Sequence, residues 1–158
     1  MDPDVHPYES LVFLTNRVGR QLSRCCLSHA VGPNGWQPQP TQMGLLADLM
    51  KEDGQTQQEL AISTIKDKGT VARALTGLEN AGMVRRKPDP RDGRNKLIYL
   101  TPAGREFIET MMPVLNNAAH HATRGVDPAD LKACLTTLNQ IYHNLHTILS
   151  PTEQSDRP

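Results

Sequence analysis

The stretch from Thr56 to Thr101 constrains the fold of this chain more than any other. It opens with Thr56-Gln57-Gln58-Glu59, a capping box in which the threonine oxygen accepts from a first-turn amide while the glutamate reaches back to the cap. A short helix to about Ser63 follows. After a brief turn, Asp67 is placed to cap a second helix whose Val71, Leu75 and Leu78 share one face, and Gly82 suits the left-handed conformation that ends it. Val84-Arg85-Arg86-Lys87 and Lys96-Leu97-Ile98-Tyr99-Leu100 then read as two strands around the turn-rich Pro88-Asp89-Pro90-Arg91-Asp92-Gly93-Arg94-Asn95. Two short helices in quick succession with a hairpin behind them outline a helix-turn-helix with a wing.

The flanking sequence is helical. Tyr8, Leu11, Val12, Val18, Leu22 and Cys25 or Cys26 recur at helical spacing, which predicts a long helix from about Pro7 to about Ala30, with Pro7 in its first turn. Val31 to Pro40 reads as a loop, and Thr41 as the N-cap of a helix carrying Met43, Leu45, Leu46, Leu49 and Met50 and ended by Asp53-Gly54. Thr101-Pro102 opens a helix through Phe107, Met111, Leu115 and Ala118. Asp127-Pro128 repeats the device for a last helix striped by Leu131, Leu135, Leu138, Tyr142, Leu145 and Leu149. The expected fold is mainly α with a small β wing, a single domain over residues 1–158. A winged helix lobe spans 41–101, and helices in 7–30 and 102–149 form a dimerisation region, because an apolar stripe left in water costs roughly 25 cal/mol per Å².

The chain has 158 residues and a formal net charge of zero, but its charges are segregated. From Ile62 to Arg105 there are ten basic and four acidic residues, against seven basic and thirteen acidic elsewhere. A local surplus of this kind, and not the total, is what a polyanion meets. Cys25, Cys26 and Cys134 cannot form a closed set of bridges and are expected as reduced thiols. The N-terminus lacks a basic start followed by an apolar run, and no stretch approaches membrane-spanning length, so the chain is expected in the cytoplasm and away from membranes. No nucleophile elbow, phosphate-binding glycine loop or H-E-x-x-H is present, so neither an enzyme nor a cofactor is expected. Cys25, Cys26, His29, His120, His121, His143 and His146 hold no strong zinc spacing, and no metal site is assigned.

Glu59-Leu60-Ala61, Asp67-Lys68-Gly69-Thr70-Val71-Ala72-Arg73, Leu78-Glu79-Asn80-Ala81-Gly82-Met83-Val84, and Asp92-Gly93-Arg94 running through to Leu100-Thr101 resemble the MarR family of bacterial regulators over nearly the whole chain. The aspartate-x-arginine of the wing, followed after five residues by leucine-threonine, is the most specific part. The resemblance implies a homodimer that binds double-stranded DNA at a palindromic operator, with the helix from Lys68 in the major groove. Lys68, Thr70 and Arg73 would then reach bases or phosphates, with Gly69 beside them. Asp92 is placed to hold Arg94 as a minor-groove probe, while Arg85, Arg86, Lys87 and Arg91 are expected on phosphates. The chain departs from the family's commonest pattern at Gly69, where serine is frequent, and at Ile65, where glycine often stands.

By the same resemblance a phenolic or lipophilic effector would release a repressor from DNA, with Phe13, Arg17, Met43, Leu46 and Met111 as pocket residues. Two other readings stay open at this point. Cys25 and Cys26 could sense oxidants if a cation lowered their pKa, or the helix-turn-helix could serve as a protein-interaction module without reading DNA.

Overall fold

The computed structural model describes residues 10–28 and 30–149, apart from the side chains of His146 and Leu149. Six α-helices and three short strands follow in the order α1 (Leu11–Leu27), α2 (Pro40–Lys51), β1 (Gln55–Thr56), α3 (Gln57–Ser63), α4 (Lys68–Asn80), β2 (Val84–Pro88), β3 (Lys96–Leu100), α5 (Pro102–Ala122) and α6 (Pro128–Leu149). The chain divides into two compact units, one up to Ala119 and one from His120. No helix among the described residues is long and apolar enough to cross a membrane.

The first unit is built on the apolar faces of the helix-turn-helix and its neighbours. Leu45, Leu46 and Leu49 of α2, Leu60 of α3, and Val71, Leu75 and Leu78 of α4 are fully buried, and Met83, Val84, Ile98, Leu100, Phe107, Ile108 and Met111 close around them. Each such side chain stabilises the fold by roughly 1.5–3 kcal/mol relative to exposure. This core sets the angle at which α4 stands. Gln42 of α2, the one buried polar side chain among the described residues, accepts from the Gln39 amide at 2.8 Å and donates to the Ala74 carbonyl of α4 at 3.5 Å.

The local signals open most of these elements. Glu59 N donates to Thr56 Oγ1 at 3.2 Å, and Thr56 N donates to Glu59 Oε2 at 2.7 Å, so the capping box forms. The Thr70 amide donates to Asp67 Oδ1 at 2.8 Å, the Gly104 amide to Thr101 Oγ1 at 3.0 Å and the Ala129 amide to Asp127 Oδ1 at 2.7 Å. Gly82 has φ +72° where α4 ends. Thr101 Oγ1 also donates to the Gly82 carbonyl at 2.6 Å, and a Cβ on Gly104 would collide with the Met83 carbonyl. The start of α5 thus rests directly on the turn that leaves α4.

Three expectations change. The first helix begins at Leu11 with Ser10 as N-cap and stops at Leu27, short of Ala30: Ser28 Oγ donates back to the Cys25 carbonyl at 2.8 Å, and Ala30 turns into the core. Pro7 and Tyr8 lie outside the described residues. The N-cap of α2 is Gln39 and not Thr41, because Pro40 has the backbone angle of a first helical residue and draws the helix start forward. A third strand, β1, pairs antiparallel with β3, Gln55 opposite Ile98 and Thr56 opposite Leu97, which puts β3 at the centre of the order β1-β3-β2.

Candidate nucleic-acid interface

The N-terminus of α4 presents Lys68, Gly69, Thr70 and Arg73 on one end of a 13-residue helix. Asp67 organises it. Its carboxylate accepts from the Thr70 amide at 2.8 Å and from the Thr70 hydroxyl at 2.7 Å, and the same hydroxyl accepts from Arg73 Nη2 at 3.3 Å. The two bonds from Thr70, the hydroxyl's foremost, with the nearby Arg73 charge, hold the Asp67 carboxyl below the usual aspartate range. Thr70 therefore caps and orients, leaving the rest of the Arg73 guanidinium outward. Gln57 Nε2 donates to the Lys68 carbonyl at 3.3 Å, tying the first turn of α3 to that of α4.

Strand parity sorts the basic run that follows. β2 pairs with β3 so that Val84 faces Leu100, Arg86 faces Ile98, and Arg85 and Lys87 face Tyr99 and Leu97. Successive side chains alternate faces, so Arg86 follows Val84 inward while Arg85 and Lys87 are exposed on the other face. Lys87 Nζ lies 5.3 Å from the Tyr99 ring centroid. Arg86 is 27% exposed, with Nε 3.3 Å from Glu79 Oε2 in the last turn of α4. This pair was not foreseen, although the alternation of a five-residue strand carries the signal for it.

The wing tip is a built turn. The Arg91 amide donates to Asp89 Oδ1 at 2.8 Å, the Asn95 amide to the Asp92 carbonyl at 2.9 Å and the Asp89 amide to the Asn95 carbonyl at 3.0 Å. Asp92 receives the Arg94 amide and Nε on Oδ1, each at 3.1 Å, and Nη2 on Oδ2 at 3.4 Å. These bonds, led by those from the guanidinium, hold the Asp92 carboxyl below its ordinary range. The Arg94 side chain is nevertheless 91% exposed. It is gripped along one edge and offered to solvent along the other. Among the described residues no carboxylate lies within ion-pair distance of Lys68, Arg73, Arg85, Lys87 or Arg91, although Asp67 is linked to Arg73 through the Thr70 hydroxyl.

The expected effector residues do not line one cavity. Leu46 and Met111 are sealed in the core and Met43 packs half-buried against it. Phe13 and Arg17 lie on α1, with the Arg17 guanidinium 4.7 Å from the Phe13 centroid, in an open groove of about 650 Å³ that also takes in Asn16, Arg20 and Arg24. Cys25 is exposed and Cys26 half-buried. Burial first, then the neighbouring Cys25, pushes the Cys26 thiol up, opposite to what a reactive thiolate requires. Among the described residues no three His, Cys, Asp or Glu side chains are grouped to hold a metal; His29 and the His146 side chain lie outside them.

This arrangement corresponds to that of a known family. The MarR family model matches residues 39–96. The transcriptional regulator HosA of Escherichia coli O111:H- is 30% identical over 106 residues, 64% of this chain and 76% of that protein. The HTH-type transcriptional repressor IacR of Pseudomonas putida is 25% identical over 101 residues, 63% of this chain and 60% of that one. The crystal structure of a MarR family transcriptional regulator from Silicibacter pomeroyi superposes with a TM-score of 0.74 and 27% identity, covering 91% of this chain and 95% of its own. With a capped helix-turn-helix, a three-stranded wing and these relatives, the chain belongs to the MarR family of winged helix, DNA-binding transcriptional regulators.

Proposed function

We propose that the chain is a repressor that binds a palindromic duplex operator as a homodimer and is released by a small phenolic or lipophilic effector. The observation that carries this reading is Arg94, held by Asp92 yet 91% exposed, in the same lobe as the outward cations of α4. An arginine restrained before contact loses less rotamer freedom on binding, about 0.5–1.5 kcal/mol less for such a side chain, and a narrow minor groove concentrates the negative potential that draws it. In this reading Lys68 and Arg73 contact base edges or phosphates in the major groove, Thr70 orients Arg73, and Arg85, Lys87 and Arg91 neutralise phosphates. IacR, a named repressor, supports the sign of regulation by its likeness. The second copy is supported by α6, where Leu135, Leu138, Tyr142, Leu145 and Ile148 are all exposed. The α1 groove, with Phe13 and Arg17 in cation–π contact, offers an aromatic surface beside positive charge and supports an effector that carries both a ring and an acid.

The test is binding to the DNA upstream of the chain's own coding sequence. Arg94→Ala should weaken it about tenfold or more, the loss of one well-placed base or groove contact, while sedimentation shows the same oligomer as wild type. Unchanged affinity would remove Arg94 from the interface. Lys87→Ala should weaken specific and random duplexes alike and flatten the salt dependence by about one charge.

A further inference from the structure

We propose that Arg86 is a positioning residue: paired with Glu79, it fixes the wing relative to α4 and makes no phosphate contact of its own. The inference rests on the DNA-binding reading above and divides the basic run on β2 by function. Arg85 and Lys87 are exposed, whereas Arg86 turns toward the core side of the sheet opposite Ile98, which is 1% exposed. Arg86 Nε and Nη2 have almost no solvent contact and, among the described residues, no hydrogen-bond partner. The Glu79 carboxylate, itself 32% exposed, lies 3.3 Å from Nε. Guanidinium nitrogens withdrawn from water are costly unless an opposite charge compensates them.

Geometry gives this pair its role. Glu79 stands in the last turn of α4 and Arg86 in the third position of β2, on either side of the Ala81-Gly82-Met83 turn. The backbone path between helix and wing passes through a glycine at φ +72°. An ion pair across that turn closes a short loop and sets the direction in which β2 leaves. Arg94 lies beyond it, at the far end of the hairpin, so a small rotation at the turn becomes a larger displacement there. Arg86 also borders a cleft of about 500 Å³ that runs between the start of α3, at Thr56, Gln57 and Gln58, and the hairpin as far as Arg94 and Asn95.

The sign of one substitution separates this role from a phosphate contact. If Arg86 met DNA directly, Glu79→Gln would remove a repelling charge, free the arginine and tighten binding. If the pair positions the wing, Glu79→Gln weakens operator binding about fivefold, Arg86→Gln weakens it similarly, and the double variant is no worse than either, as for two members of one unit. The slope of log affinity against log salt then stays at the wild-type value in all three, where loss of a phosphate contact would reduce it by about 0.9. Glu79→Gln is isosteric and lies at the helix surface, so it stays interpretable where Arg86→Gln does not fold. Tighter binding by Glu79→Gln, or a shallower slope for Arg86→Gln, overturns the proposal. Hydrogen exchange on the DNA-free protein supplies an arm independent of the nucleic acid: amides of the wing, from Val84 to Leu100, exchange faster in both variants. Unchanged exchange in both overturns the pair's positioning role. A wild-type protein with no preference for any duplex would overturn the DNA-binding reading instead, and the exchange comparison alone would then decide the role of the pair.

Discussion

Ile65 sits in the turn between α3 and α4 with φ +52° and is 65% exposed. A β-branched side chain in the left-handed region is strained, at a cost of about 1–3 kcal/mol, and at this exposure little burial repays it. Ile65→Gly should therefore stabilise the protein by about 1 kcal/mol after allowance for the extra freedom of glycine in the unfolded chain. A lower urea midpoint for the variant would show that Ile65 makes a contact worth more than its strain. Asp92 is testable through its titration. Its ionised form accepts the bonds from Arg94, and its folded pKa lies below the ordinary value. The order it gives the wing is therefore complete above the unfolded aspartate value of about 3.9 and is lost as pH falls through the lower folded value. A carboxyl titration by NMR should place Asp92 below free aspartate in the wild type, and Arg94→Ala should move it back toward that value.

Elements whose ends are chemically marked were legible in the sequence, and those held by distant partners were not. Thr56, Asp67, Thr101 and Asp127 each bond an amide two or three residues on, so the information needed to place them is local. Gln39 and not Thr41 caps α2 because the proline between them, itself a local signal, suits the first helical position. β1 is two residues long, too short for an alternating pattern, and exists because β3 has an edge to offer. The candidate site divided similarly. The Asp92–Arg94 contact spans two residues and was expected, whereas Glu79–Arg86 needs the register of β2. Leu46 and Met111 went to the core because an apolar residue at helical spacing does not reveal which surface covers it. Two substitutions test the element ends. Asp67→Ala removes the α4 cap and should cost about 1 kcal/mol, with faster amide exchange at Thr70. Gly104→Ala forces a methyl against the Met83 carbonyl and should cost about 2–3 kcal/mol by overpacking, read from the thermal midpoint; a neutral result would mean that α5 can draw back from the turn.

Over the whole chain a net charge of zero resolves into a basic segment and an acidic remainder, so association with a polyanion should be orientation-dependent and fall steeply with salt. Leu135, Leu138, Tyr142, Leu145 and Ile148 leave an apolar stripe exposed on α6. On the homodimer proposed above, Leu145→Asp should shift the protein toward monomer in sedimentation and abolish tight binding to a palindrome, because two half-sites would no longer act together, while a single half-site is bound as weakly as before. The seat of α5 on the turn after α4 has a mechanical consequence. Thr101 clasps the Gly82 carbonyl and Gly104 leaves no room above Met83, so this joint has no play. A tilt of α5 at its first turn cannot be absorbed there, and the root of the wing must turn with it.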